Sequence, residues 1–171
     1  MITKTSTKNN TNSVATYSDC EYYRYSLSRI WEPKRKKLTF VLLNPSTATE
    51  LQNDPTVERC ERRARTLGFG AFLVCNIFAW RDTSPEKMKK ANDPIGNQND
   101  KAILDGCAWA DTIICAWGTH GSHLNRGQRV LELIKTISKN PYHLGLTKAG
   151  FPKHPLYISY KQDPIEWKKE I

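Results

Sequence analysis

Three short runs place residue types together that could act on a ligand: Asn44-Pro45-Ser46-Thr47, Asn76 within an apolar stretch, and His154-Pro155. Asn44 follows the apolar run Phe40 to Leu43 and precedes a proline, which holds its backbone extended. Its amide can accept from a water and donate to a ligand at once; the alternative is a turn asparagine bonding its own backbone. Ser46 and Thr47 would lie beside free N–H groups if a helix starts there, a place for a phosphate or carboxylate, or would simply cap that helix. Asn76 interrupts the apolar run between Cys75 and Ile77. A buried amide left unbonded costs about 1–3 kcal/mol, so Asn76 either reads the edge of a base or ties two loops together. His154, its backbone fixed by Pro155, could donate to a developing anion or be an exposed loop histidine.

Other candidates are weaker. His120 and His123 form H-x-x-H near Cys115, but no fourth ligand is evident and no metal or cofactor is expected. Lys148, Lys153, Arg126, Arg129 and the arginines at 59, 62, 63 and 65 are candidate phosphate contacts, or a solvated charged surface. Phe69, Phe78, Trp80 and Trp117 could stack on bases or fill the core. Lys plus Arg is 26 against 17 acids, a formal charge of +9. That balance suits a polyanionic partner, nucleic acid or a nucleotide first; the plainer reading is a basic protein without one. Five cysteines form no close pair and no export signal opens the chain, so reduced thiols and a cytoplasmic location are expected. The longest uncharged apolar stretch, Ala71 to Trp80, is too short to cross a bilayer. Oligomeric state cannot be read.

The elements that must position these residues follow from periodicity. The chain of 171 residues, 39% hydrophobic and 25% charged, fits one globular domain. Residues 1–13 are polar and low in complexity, a flexible tail; residues 14–171 form a single α/β domain. Tyr22 to Trp31 alternates as a strand, and Leu38 to Leu43 is a buried strand that pairs with it as a hairpin or neighbours it. Thr47 and Glu50, and again Thr83 and Glu86, have capping-box spacing. Asp54-Pro55 opens a helix with Val57, Cys60, Ala64 and Leu67 on one face, the arginines largely off it, and Gly68 as its stop. Ala71 to Ile77 and Thr112 to Trp117 are buried strands. Asn99 to Trp109 and Arg126 to Ser138 are helices. Tyr142 to Leu146 is a further strand, and His154 to Ser159 a last loop or strand.

Apolar strands alternating with helices predict a mostly parallel central sheet of about four or five strands, flanked by helices on both faces, with an N-terminal strand or hairpin. Ligands of such sheets bind beyond the carboxyl ends of the strands. The residues leaving the strands are 44–47, 76–81, 117–120 and 147–154.

The runs YRYSLSRIW, FVLLNPSTA, DPTVERC, NIFAWR, AWG and LTKAGFPKHPLY, in this order, resemble a bacterial and phage family of domain of unknown function 1643, over about Ser18 to Ile158. That family name carries no activity. Asn44-Pro45, Asn76 and His154-Pro155 also resemble, in order, motifs of the uracil-DNA glycosylase superfamily. NIFAWRDTSP is similar to a strand-exit segment of its iron–sulfur branch. The second resemblance implies a three-layer α/β/α fold and a DNA glycosylase acting on a deaminated or modified base. It implies that Asn44 positions a water, Asn76 bonds the edge of a flipped base and His154 stabilises the departing base. Pro45, Ser46, Thr47, Phe78, Trp80, Arg81, Trp117 and Gly118 would complete the base or nucleotide site, with Lys148, Lys153 and Arg126 on the nucleic-acid backbone. Trp80 occupies the position of a cluster cysteine and no C-x-x-C opens the chain, so no iron–sulfur cluster is expected. Asn44 cannot act as a general base, so the alternatives are a non-catalytic module for modified DNA and an enzyme or binder acting on a free nucleoside or nucleotide.

Overall fold

Eight strands and four helices make up the computed structural model, which describes residues 1–168. In chain order they are β1 (Ile2–Lys8), β2 (Thr11–Tyr17), β3 (Arg24–Ile30), β4 (Lys37–Leu42), α1 (Pro55–Thr66), β5 (Ala71–Asn76), α2 (Pro85–Lys89), α3 (Asn99–Trp109), β6 (Thr112–Cys115), α4 (Arg126–Thr136), β7 (Tyr142–His143) and β8 (Ile165–Glu166). They form one sheet in the order β1-β2-β3-β5-β4-β6-β7-β8. The β1/β2, β2/β3, β3/β5 and β7/β8 pairings are antiparallel; β4/β5, β4/β6 and β6/β7 are parallel. The expected mostly parallel sheet of four or five helix-flanked strands is therefore wrong. The sheet is mixed, wider and mostly antiparallel, and its helices are few.

The physical reason lies at the N-terminus. Met1 to Ser13, expected to fray, forms β1 and the start of β2, paired from Ile2↔Tyr17 to Lys8↔Thr11. Asn9 and Asn10 make the connection at φ 50° and 58°. A two-residue hairpin turn needs positive φ at both centres, which asparagine tolerates. Thr and Ser alternating with Lys form a half-exposed strand without the apolar signal of a buried one.

The β3–β4 hairpin is also overturned. Strand β5 lies between them, with Leu27↔Val74 on one side and Phe40↔Val74 on the other. Gly70 makes this insertion possible. Its carbonyl accepts from Trp31 and Glu32, and its N–H donates to Lys36. A Cβ there would sit 1.9 Å from the Glu32 carbonyl oxygen, so no other residue permits this approach.

The core divides across the sheet. On one side, Val57, Cys60 and Ala64 of α1 pack on Leu27, Leu38, Phe40, Leu42, Phe72 and Val74. On the other, Ile103 and Cys107 of α3 and Val130, Leu131 and Ile134 of α4 pack on Val41, Cys75, Ile77, Ile113 and Cys115. Strand alternation explains the split, because successive side chains point to opposite faces.

Helix α1 begins as its sequence requires. The Asp54 carboxylate accepts from the Val57 N–H at 2.8 Å, with Pro55 in the first turn. Asp54→Ala is expected to cost about 1 kcal/mol, or a melting point lower by about 2–4 °C; urea unfolding of the variant measures it. The Thr47–Glu50 spacing starts no helix: residues 43–54 are irregular. The cap of α2 is Ser84 rather than Thr83. The strand expected over Tyr142 to Leu146 shortens to β7, and Pro155–Tyr157 forms a single 3-10 turn.

Candidate functional site

The carboxyl ends of β4 and β5 gather the first two candidate runs. Leu42 pairs with Asn76 at the last rung, and the pairing runs on through Ile77 N–H to the Leu42 carbonyl and Phe78 N–H to that of Leu43. Asn44 Nδ2 then donates to the carbonyls of Asp82 at 2.8 Å and Pro45 at 3.1 Å. Asn44 is thus a tie between the two strand exits, reinforced by Asp82 N–H donating to the Pro45 carbonyl.

Asn76 is held differently. Its backbone carbonyl and that of Ile77 both accept from Asn99 Nδ2 of α3, and Ile77 also accepts from Arg126 Nε of α4 at 2.7 Å. Arg126 in turn pairs with Asp100 at 2.6 Å and is 3% exposed. The expectation that Arg126 meets a nucleic-acid backbone is therefore corrected: it is an internal strut. These bonds fix the end of β5, yet the Asn76 side chain has no hydrogen bond from either Oδ1 or Nδ2, although the residue is 1% exposed. Alternation with Phe72 and Val74 places that side chain on the α1 face of the sheet.

Two arginines of β3, absent from the sequence candidates, organise the same face. A bulge at Thr16/Tyr17 sets Arg24 opposite Tyr17. Arg24 is 2% exposed; one guanidinium nitrogen donates to the Ala48 carbonyl and Nε has no partner. Burial lowers its pKa to about 10, against the pull of the Asp54 carboxylate. Arg29 bonds the Thr49 carbonyl at 2.6 Å and Asn53 Oδ1 at 3.0 Å. The two arginines thereby hold the loop between β4 and α1. The only sequence signal was an Arg on each side of an alternating strand, which reads as surface until a bulge turns one inward.

Asp54, which also accepts from the Ala48 N–H, acts on His154 through its charge alone. Nδ1 of His154 accepts from the Leu156 N–H at 3.4 Å, so the neutral ring carries its proton on Nε2. Burial lowers the His154 pKa, with Asp54 opposing. The His143 ring is lowered by burial as well. A histidine whose folded pKa lies below its ordinary value of 6.5 is protonated more readily unfolded, so stability falls as pH drops below about 6.5. Denaturant unfolding between about pH 5 and pH 8 is expected to show this slope, and His154→Gln to reduce it.

An open cleft of about 500 Å³ adjoins the β4 and β5 exits, lined by Cys20, Glu21, Tyr22, Ser46, Thr47, Arg81, Asp82 and Thr83. Tyr22 is 63% exposed and stacks on Trp80 at 5.5 Å. Arg81 donates to the Glu21 carbonyl and lies over the Tyr17 ring. Ser46, Thr47, Trp80 and Arg81 are thus together. Phe78 and Trp117 are not: both are buried in the core on the α3 and α4 side. Gly118, at φ 73°, brings the β6 exit against His154. Lys148 and Lys153 are exposed. His120 lies 4.0 Å from Glu86 and His123 against Phe78. No helix among the described residues is long and apolar enough to cross a membrane.

A family described as a protein of unknown function (DUF1643) matches residues 24–156. No curated protein and no solved structure matches the chain. The likeness to uracil-DNA glycosylases gains no support, and the mixed sheet departs from the fold it implied.

Proposed function

The chain belongs to this family, and we propose that it recognises a nucleobase, free in a nucleotide or exposed in a nucleic acid, at the carboxyl ends of β4 and β5. One observation carries the reading: the buried Asn76 amide, fixed by its backbone, has neither donor nor acceptor satisfied. Each orphaned group costs about 1–3 kcal/mol, and among the described residues Asn76 is the buried side chain with both its donor and its acceptor unmet. A primary amide offers a donor and an acceptor side by side, the pattern that pairs with a base edge. The loop after β4 packs Ala48 into the cluster that holds Leu42 and Val74, so a base reaching the amide displaces this loop. Tyr22 offers a face for stacking, and Arg81 and the net charge of +9 suit phosphate.

Calorimetric titration with the common mononucleotides and with short single- and double-stranded oligonucleotides, plain and carrying modified bases, tests this. Binding by at least one is expected, weakened at least about tenfold in Asn76→Ala. Absence of heat across the panel would remove the reading.

Cleavage of the N-glycosidic bond is the second reading, favoured by His154. Its Nε2–H has no hydrogen bond among the described residues, and it could donate to a departing base. Asn44, its Nδ2 engaged, keeps Oδ1 to hold a water. Alkali-sensitive strand breaks in modified DNA, slowed about 100-fold or more in His154→Gln, are expected if this holds. Binding without breaks leaves a recognition module.

A further inference from the structure

Four arginines are buried among the described residues, and one of them is under-bonded. Arg29 has three acceptors in the loop after β4, Arg63 bonds three carbonyls, and Arg126 pairs with the Asp100 carboxylate. Arg24, 2% exposed, has a single hydrogen bond, from Nη1 to the Ala48 carbonyl at 2.9 Å. Its Nε–H is buried without an acceptor, and no carboxylate forms an ion pair with it among the described residues. A guanidinium carries five N–H donors, and buried charges are ordinarily paired. Burial holds the Arg24 pKa down at about 10; the Asp54 charge opposes this, and Arg81 and Arg29 add to it. The Asn76 amide lies on the same face under the same cover. Arg24 is paired with Tyr17 and Asn76 with Leu42, and Tyr17, Leu42 and Ala48 belong to one cluster. Paired residues of adjacent strands point to the same side of a sheet. Strands β3 and β5 are neighbours, and the Arg24 N–H donates to the Ala79 carbonyl just past the end of β5. Two under-bonded polar groups therefore sit on adjacent strands beneath the loop that carries Ala48.

We propose that Arg24 is the phosphate-binding residue of the Asn76 site, so that the ligand is a phosphorylated nucleoside and not a bare base or nucleoside. In this assignment, which rests on the Asn76 reading, the neutral amide pairs with the base edge and the guanidinium holds the charge. The planar fork of an arginine suits two oxygens of one phosphate. Arg24 is tied to the Ala48 carbonyl of the loop that the base displaces, so lifting that loop frees the remaining donors in the same step. The phosphate then takes the place of a neutral carbonyl. Hydrogen bonds to an ionised acceptor are roughly twice as strong as those between neutral groups.

The test uses the whole chain and compares each common nucleoside with its 5′-monophosphate by calorimetry at one ionic strength. For the base that binds, the monophosphate is expected to bind at least about tenfold more tightly than the nucleoside. In Arg24→Met, which keeps the length of the side chain and removes the charge, that ratio is expected to fall to about one. Arg24→Lys, which keeps a charge but loses the fork, is expected to retain an intermediate ratio. A second measurement needs no variant to fold well: the Arg24 Nε–H resonance of the unaltered chain, identified by its loss in Arg24→Lys, is expected to shift saturably with the monophosphate. Equal affinity for nucleoside and monophosphate overturns the proposal. So does a ratio kept in Arg24→Met, which would place the phosphate on surface charge such as Arg81, or an Arg24 signal that a bound monophosphate leaves unmoved. Equal affinities that both collapse in Asn76→Ala would leave the base reading standing without the phosphate. A ratio lost in Arg24→Met, with monophosphate affinity unchanged in Asn76→Ala, would do the reverse. No heat from any of these ligands removes both.

Discussion

Arg63→Ala is expected to lose about 3–5 kcal/mol of stability and to melt about 10 °C lower. Arg63 sits on α1 and is 1% exposed. Its guanidinium donates to the carbonyls of Gln162 at 2.9 Å and of Ile158 and Ser159 at 3.0 Å each. Hydrogen bonds to a charged group contribute about 1.5–3 kcal/mol each, and an orphaned buried carbonyl costs more than the mean. Removing the side chain takes all three bonds and leaves the Gln162 carbonyl without a partner, while Ile158 keeps its bond from Arg59 and Ser159 the one from the Gln162 N–H. Tyr160, between Arg59 at 4.3 Å and Arg63 at 5.5 Å, loses one of its cations as well. Arg63→Lys is not expected to restore the loss, because an ammonium lacks the planar fork that serves diverging carbonyls. The segment held in this way directly follows the His154 turn. Hydrogen exchange over residues 155–162 should therefore accelerate more than elsewhere. A loss under about 1 kcal/mol would mean that water satisfies these carbonyls instead.

Asn76→Leu is expected to do two opposite things: raise stability by about 1–3 kcal/mol and abolish the base binding proposed above. Leucine has the same branched arrangement of side-chain heavy atoms as asparagine. It would remove two orphaned polar atoms and add apolar contact with the cluster of Leu42, Phe72 and Val74. Replacing unsatisfied buried groups with apolar ones of the same shape removes their desolvation cost. Sites kept for function carry such costs, and a gain in stability with a loss of binding is their signature. Denaturant midpoints and calorimetry on one preparation measure both. A destabilised Asn76→Leu would mean that water bonds the amide in solution and that its role is structural.

Local elements were largely legible. Asp54-Pro55 opened α1, Asn99 to Trp109 was a helix throughout, and the apolar runs at 38, 71 and 112 were strands, because capping chemistry and periodicity act over a few residues. Arg63 was read as off the buried face, since periodicity counts charge as solvent-facing. The carbonyls that make it internal come from residues 158–162, far along the chain. Arg24 was hidden for a related reason: only the bulge at Thr16/Tyr17 brings it inward.

By itself the sequence determined most of the elements, the family motifs and the placing of Asn44 and Asn76 at strand exits, all encoded in contiguous residues. Only the tertiary structure decided that β5 lies between β3 and β4, that a polar N-terminus widens the sheet, and that the Asn76 side chain is left without partners while Arg126 and Trp117 turn inward. Strand neighbours and hydrogen-bond satisfaction depend on residues distant in the chain, and here on close approaches such as Gly70 to Glu32. Periodicity carries no information about which distant segment supplies the partner.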